Sequence, residues 1–495
     1  MDRTADMAAD TYRELSSAPL KLFIDGKSVD ALSGGAVDVI NPATGAVIAR
    51  AADGSGLDID AAVRAARRAF DSGPWGRMLV PERRSLMLKL ADAVESAADE
   101  FALLDCLDNG MPLRFAHFFA TNVAADSLRY NAGWIGKING ETPSVSAPNQ
   151  HVYTLREPVG VVGAILPWNG PLGMMATRVA AALSAGCCIV VKPAEHTPLS
   201  ALRFARLAQE VGIPDGVINV VTGGSVAGRA LAEHKLVDKI TFTGSTETGK
   251  SIVRAAAGNL KRVSLELGGK SPVIIMPDAD IESAIAGASN GIFWNAGQIC
   301  VAGSRLYAHA KVFDQVLEGI ARIARSLRVG PGLEVTTDIG PLISSQQRER
   351  VAKYIDSGLA QGAELVAGGS TIAGDGYFIQ PTVLANTRGD MRVVREEIFG
   401  PVLCVMKMDS SDLDSIIDTA NDSDYGLSAY VWTRDLSTAH TLARRLKSGS
   451  VRINGGVDLD AGLPFGGVKQ SGWGRDNGRE GIEMYFETKA VSIRL

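Results

Sequence analysis

Residues 159–193 read VGVVGAILPWNGPLGMMATRVAAALSAGCCIVVKP, and they decide the fold. VGVVGAILP (159–167) is a short apolar run that stops at a proline, as a strand buried on both faces does. MATRVAAALSAG (175–186) reads as a helix, and CCIVVKP (187–193) as a second buried strand. Downstream the alternation continues. A helix is expected over 198–211, a strand at VINVVTG (217–223), a helix over 225–234, a strand at KITFTG (239–244) and a helix from 247. Strands alternating with helices argue for a parallel, doubly wound sheet.

A second alternating region follows. SPVIIMPD (271–278) and SRLYAH (304–309) read as strands, with helices over 279–297, 311–328 and 347–360 and further strands near 363–366, 402–407 and 451–454. This is a second α/β domain. Upstream, LFIDGKSVD (22–30) reads as strand, turn and strand. DIDAAVRAARRAFD (58–71) reads as a helix with an acidic start, and 81–109 continues in helical style. Residues 1–20 are polar and Ala-rich and read as a loosely held arm. HVYTLREP (151–158) and KAVSIRL (489–495) alternate apolar and polar residues, as half-exposed strands do. Either they form an edge hairpin on their own subunit or they pair with another subunit.

The 495 residues suit two or three domains and a core large enough to need no covalent staple. A net charge of −5 with no basic stripe argues against a nucleic-acid partner. The five cysteines are odd in number and contain no CxxC pair, and the six histidines form no HExxH, so neither a disulfide framework nor a common zinc site is expected. No signal-peptide core or long apolar span is evident, which leads to the expectation of a reducing, cytoplasmic compartment without membrane attachment.

Five short segments could carry chemistry. In FWNAGQICVAGSR (293–305), Cys300 sits at a helix–strand junction before small residues, where a thiolate would make a covalent nucleophile; a lone cysteine is otherwise a small buried hydrophobe. In VSLELGGKSP (263–272), Glu266 lies in an apolar run. It either faces solvent or is buried with a raised pKa, in the working range of a general base. ILPWNGP (165–171) follows a buried strand, and Asn169 there could donate to an oxyanion or simply belong to a turn. VVKPAEHTP (190–198) places Lys192 and Glu195 at a strand end, where a carboxylate can take ribose hydroxyls. GSTETGKS (244–251) fits the GxxxxGK[ST] phosphate-loop pattern and opens a helix, which keeps a P-loop NTPase as an alternative, although VIIMPD (273–278) is a poor partner strand for Mg²⁺.

PWN, KPAE, TGSTETGK, LELGGKSP, GQIC and EEIFGPV (396–402) occur in the order found in aldehyde dehydrogenases, and the chain resembles that superfamily from about residue 22 to 495. The resemblance implies NAD(P)-dependent oxidation of an aldehyde to an acid through a thiohemiacetal and a thioester, with no metal. It implies Cys300 as nucleophile, Glu266 as base and Asn169 as oxyanion donor with the Cys300 backbone N–H. Ile165, Trp168, Lys192, Glu195, Gly228, Ser245, Leu267, Glu397 and Phe399 are implied for the cofactor. Glu195 near the ribose 2′-hydroxyl favours NAD, with NADP possible. The implied architecture is an NAD-binding domain (1–137 and 159–267), a catalytic domain (268–468) and a small β oligomerisation element (138–158 and 469–495), assembled as a homodimer or homotetramer.

Departures from the family concentrate at the substrate tunnel. Gly170, Thr177 and Leu459 stand where many relatives carry aromatic residues, while Phe465 remains and Trp294, Met174 and Val301 complete the expected wall. A wider pocket for a bulky apolar aldehyde (aromatic, terpenoid or long-chain) is expected; the alternative is a broad-range aliphatic enzyme whose other side chains refill the space. Arg178 replaces a lysine implicated in proton relay and Asp476 a glutamate. An arginine is always protonated and cannot shuttle a proton.

Overall fold

The computed structural model describes residues 2–409 and 412–495, and for residues 2–6 the backbone alone. Two sheets dominate, each with its own apolar core. The first has eight strands in the order Gly472–Trp473, Arg262–Glu266, Lys239–Thr243, Val161–Ile165, Cys188–Lys192, Ile218–Val220, Leu22–Ile24, Lys27–Val29. Its five middle strands are parallel. All five residues of Val161–Ile165, Cys188–Lys192 and Lys239–Thr243 are buried, as strands covered by helices on both faces must be. The second sheet has seven strands in the order Glu364–Ala367, Thr382–Ala385, Val402–Met408, Arg305–His309, Pro272–Ile275, Ser428–Trp432, Ser450–Ile453, parallel except at the first pair. The α/β class with two doubly wound parallel sheets is thus present.

Local chemistry explains the element boundaries. The helix Gly56–Asp71 starts where the Ser55 hydroxyl accepts from Leu57 N and the Asp58 carboxylate accepts from Ser55 N at 2.7 Å, a reciprocal cap. The helix Pro171–Ala185 starts four residues before the expected 175, because Pro171 at its first position needs no N–H partner, and it ends at left-handed Gly186.

One expectation changes. The first residues are a docked helix, Asp2–Ser17, rather than a loose arm. Ala8 and Leu15, seven apart and so on one face, are buried against Val39, Ile48 and Ala51 of a separate hairpin (Ala36–Ile40 with Val47–Ala52), and Asn41 donates to the Tyr12 hydroxyl at 2.8 Å. The stripe is so narrow that composition hides it. The two alternating segments pair with each other along their full length, Gln150–Pro158 antiparallel to Phe486–Arg494. They form a two-stranded ribbon with mostly exposed or half-buried residues, a small antiparallel element suited to oligomerisation.

Candidate active site

From Val161–Ile165 the first sheet grows outward through Cys188–Lys192 and Ile218–Val220. The chain then returns to the other side of Val161–Ile165 to lay down Lys239–Thr243 and Arg262–Glu266. The order reverses between Val161–Ile165 and Lys239–Thr243, and loops leaving the carboxyl ends of those strands part to leave a crevice. The second sheet faces it with its amino ends. Gly268–Gly269 lead into Pro272–Ile275, Cys300 precedes Arg305–His309, and Glu397 and Phe399 precede Val402–Met408. The resulting cavity of about 210 Å³ is lined by Pro167, Trp168, Asn169, Met174, Thr243, Gly244, Ser245, Glu266, Leu267, Gly268, Cys300, Gln347, Arg350, Glu397 and Phe399.

Cys300 is partly exposed, whereas Cys106, Cys187, Cys188 and Cys404 are buried. A run of left-handed residues, Asn295 (φ 46°), Ala296 (φ 54°) and Gly297 (φ 70°), turns the chain towards it. Such backbone costs about 1–3 kcal/mol per non-glycine residue and persists only when its surroundings hold it. Close packing around Cys300 calls for glycine at two places. A Cβ on Gly303 would press on the Val273 side chain, and one on Gly269 would run into the Cys300 carbonyl. Burial, and then the charges of Glu266 and Glu397, push the Cys300 thiol up to about 12.

Glu266 ends its strand 5% exposed, so the buried alternative holds. Its Oε2 has no hydrogen-bond partner. Burial, and then the negative charge of Asp476, raise its pKa well above the carboxylate range, while Arg178 and Arg475 pull it back. The two departures noted at 178 and 476 form a single unit. Arg178 Nη1 lies 2.6 Å from the Asp476 carboxylate with both side chains buried, and Arg178 Nη2 donates to the Thr243 hydroxyl at 2.6 Å.

Asn169 is held from both sides. Its Nδ2 donates to Gln298 O at 2.9 Å, its backbone carbonyl accepts from Asn295 Nδ2 at 3.0 Å, and the preceding backbone carbonyl of Trp168 accepts from Asn109 Nδ2 at 2.7 Å. Gln298 Nε2 donates to Asn295 O at 3.2 Å, and its Oε1 accepts from Ile343 N at 2.9 Å.

The residues around the reversal fit a dinucleotide. Lys192 is buried, which lowers its pKa; its Nζ donates to Gly223 O at 2.8 Å and stands 3.7 Å from the half-exposed Glu195 carboxylate. A Cβ at Gly228 would come into ordinary van der Waals contact with the Lys192 stem. Ser245 caps the helix Thr246–Ala256, leaving an anion-favouring amino end at the crevice. Ile165 ends its strand, and Leu267 continues past Glu266. Trp168 and Phe399 meet edge to face at 5.3 Å, with Phe399 itself left-handed (φ 60°). Glu397 accepts from Gly269 N at 2.8 Å, and burial raises its carboxyl to about 7. Two further residues had no local sequence signal, Gln347 and Arg350 on the helix Ser345–Ala360. They line the crevice, and they hold its far wall by donating to Phe399 O at 2.8 Å and Glu397 O at 3.0 Å. With Trp168 they also border an adjoining cleft of about 620 Å³.

Of the expected substrate wall, Met174 lines the crevice. Trp294 stacks on Phe119 (5.8 Å, 15°) and meets Phe115 and Phe118 edge-on, and Leu459 joins the same apolar cluster. Phe119 also approaches Gly170, to 3.6 Å from where a Cβ would lie, so part of the space the glycine leaves is taken by an aromatic ring from a distant π-helical segment, Phe119–Ala125. Thr177 Oγ1 lies 3.3 Å from the Ser127 hydroxyl; Val301 is buried, and its carbonyl accepts from Tyr430. Phe465 exchanges backbone bonds with Asp476 at 2.7 Å.

GSTETGKS does not work as an NTPase loop. Its Lys250 pairs with Glu247 at 2.7 Å in solvent, and Asp278 after the neighbouring apolar run accepts from Thr433, Arg434 and Asp435 instead of facing a metal. Among the described residues no group of acids, histidines and cysteines is placed to hold a metal, and no helix is long and apolar enough to cross a membrane.

The aldehyde dehydrogenase family model matches residues 29–491. Aldehyde dehydrogenase 1 of Tanacetum cinerariifolium is 46% identical over 477 residues, 96% of this chain and 95% of that one. Phenylacetaldehyde dehydrogenase of Pseudomonas fluorescens is 44% identical over 483 residues, 96% of each. The NAD⁺ complex of aldehyde dehydrogenase from Bacillus cereus superposes with a TM-score of 0.95 at 46% identity, covering 98% of each chain. The chain belongs to the aldehyde dehydrogenase family, and it is an oxidoreductase rather than a P-loop NTPase.

Proposed function

We propose that the protein oxidises an aldehyde to the carboxylic acid with NAD, using Cys300 as nucleophile, Glu266 as general base and Asn169 as oxyanion donor. One observation carries this reading: three segments far apart in sequence bring a thiol, an unpartnered carboxylate and a fixed amide to one crevice at the sheet's reversal. The Cys300 sulfur adds to the carbonyl carbon while its proton passes to the Glu266 carboxylate, which gives it up to solvent before the second step. The alkoxide is stabilised by Asn169 Nδ2 and the Cys300 backbone N–H, a contribution of about 3–4 kcal/mol per donor in other enzymes. Bound NAD supplies the hydride acceptor that converts the thiohemiacetal to a thioester. Glu266 then takes a proton from water, the hydroxyl adds to the thioester carbon, and the C–S bond breaks to release the acid and restore the thiol.

Lys192, Glu195 and Gly228 would hold the adenosine ribose, Ser245 and Trp168 the pyrophosphate, Glu397 the nicotinamide ribose, and Ile165, Leu267 and Phe399 the nearby rings. The Glu195 carboxylate disfavours a 2′-phosphate, so NAD is preferred over NADP. The ribbon of Gln150–Pro158 and Phe486–Arg494 serves subunit pairing in a homodimer or homotetramer. The substrate is a bulky apolar aldehyde; the aromatic cluster of Phe115, Phe118, Phe119 and Trp294, and the relative named for phenylacetaldehyde, support this. The test is NADH formation across short aliphatic, long aliphatic, aryl and terpenoid aldehydes, beside Cys300→Ala. Turnover centred on bulky aldehydes and abolished by the substitution is expected. Equal kcat/KM for propanal and an aryl aldehyde would discard the substrate reading in favour of a broad-range enzyme, and activity surviving Cys300→Ala would discard the nucleophile.

A further inference from the structure

Asn169 carries an amide whose two ends differ: the nitrogen donates and the oxygen accepts. An oxyanion is stabilised only if the nitrogen end faces it, and a side chain free to flip by half a turn would present the repelling oxygen in part of the population. One bond opposes this flip, and a second holds the backbone from which the side chain projects. Asn169 Nδ2 is bonded to Gln298 O at 2.9 Å, a carbonyl that an amide oxygen could not face. That carbonyl is placed by the left-handed turn of Asn295, Ala296 and Gly297, closed by Gln298 N on Asn295 O at 3.0 Å. The Asn295 side chain donates to the backbone carbonyl of Asn169 at 3.0 Å, holding the main chain from which the Asn169 amide projects. Asn295, Asn169 and Gln298 are each 7% exposed or less, so these bonds have no water to compete with them. The Asn169 and Asn295 side chains thus each bond a backbone carbonyl of the other's loop, at Gln298 and at Asn169, tying the loop after Val161–Ile165 to the loop before Cys300.

We infer that Asn295 is a positioning residue for the reaction, fixing the orientation and depth of the Asn169 amide relative to the Cys300 sulfur. It is not among the residues lining the crevice and acts through Asn169; the inference therefore rests on Asn169 being the oxyanion donor. Asparagine suits the position because it tolerates left-handed backbone and has an amide donor of the right reach. No other residue type combines a left-handed tolerance with a neutral donor of that length.

The experiment is a double-substitution cycle on the full-length enzyme with Asn295→Gly and Asn169→Ala. Glycine keeps the left-handed turn and removes the donor, so the fold is retained; the thermal midpoint and NAD affinity, read by fluorescence titration, report on that. Asn295→Gly lowers kcat by about tenfold to a hundredfold, the scale of a misplacement of about 1 Å, with NAD affinity unchanged. In the Asn169→Ala background the same substitution changes kcat less than about twofold, since the group it positions is gone. Asn295→Asp, which keeps size and backbone but turns an acceptor towards Asn169 O, gives a loss at least as large. Equal losses in both backgrounds, or no loss in the wild-type background, would overturn the inference while leaving Asn169 in its role. Asn169→Ala without a loss of kcat would instead overturn the oxyanion assignment, and this inference with it.

Discussion

Asp476→Asn removes one charge of the buried pair beside Glu266 while keeping the side-chain volume. The negative charge of Asp476 is, after burial, the chief cause of the raised Glu266 pKa, and Arg178 and Arg475 act in the opposite sense. Without Asp476 the carboxyl of Glu266 ionises at lower pH, and the unopposed Arg178 lowers it further. A shift of one pH unit corresponds to about 1.4 kcal/mol of charge interaction, and about one unit is expected. The cost falls on stability. Arg178, 2.6 Å from Asp476 with 3% of its side chain exposed, keeps the Thr243 hydroxyl but loses its counter-charge, and breaking such a pair costs about 3–5 kcal/mol. The assay is single-turnover decay of the acyl-enzyme formed on Cys300 from p-nitrophenyl acetate, followed against pH. With the thiol consumed, the acid limb reports Glu266. In Asp476→Asn the limb moves down by about one unit and the thermal midpoint falls; in Arg475→Met, which removes a cation, the limb moves up. A limb that stays in place in both variants, or moves up in Asp476→Asn, would refute the electrostatic reasoning.

Two further outcomes follow from individual side chains. Glu195→Gln removes the carboxylate expected to repel a 2′-phosphate while leaving Lys192 beside it, so the ratio of kcat/KM for NAD over NADP falls by about tenfold, an interaction change of about 1.4 kcal/mol; steady-state kinetics with both cofactors checks it, and an unchanged ratio counts against Glu195 as the discriminator. Asp105 is buried with Oδ1 unpartnered, and burial raises its carboxyl to about 7. The folded state therefore binds its proton more tightly than the unfolded chain does. That contribution is complete below about pH 4 and is lost as pH rises through about 7. Asp105→Asn does not titrate, so its thermal midpoint gains on the wild type between pH 5 and pH 8; the same difference at both pH values contradicts the assignment.

Much of this protein is written locally. Val161–Ile165 and Cys188–Lys192 are apolar at every position because both faces of a central parallel strand are covered, and such runs are recognisable without their neighbours. The motifs around Asn169, Glu266 and Cys300 also stand in the sequence, because the proposed chemistry needs those atoms whatever surrounds them. The helix Asp2–Ser17 was illegible because its buried stripe rests on a hairpin formed by residues 36–52. Gln347 and Arg350 carry no motif; their place depends on how Ser345–Ala360 lies against the loop of Glu397 and Phe399. The filling of the space beside Gly170 by Phe119 was equally hidden, since the ring arrives from a separate helical segment. The two regions of alternating strands and helices, and the side chains proposed as reactive groups, were legible from the chain, because periodicity and side-chain chemistry are properties of the chain alone. That Arg178 and Asp476 are one ion pair, that Asn295 holds the backbone of Asn169 while Asn169 bonds Gln298, and which faces the pocket walls present came from the folded arrangement alone, because those depend on distances between segments that the covalent chain leaves free.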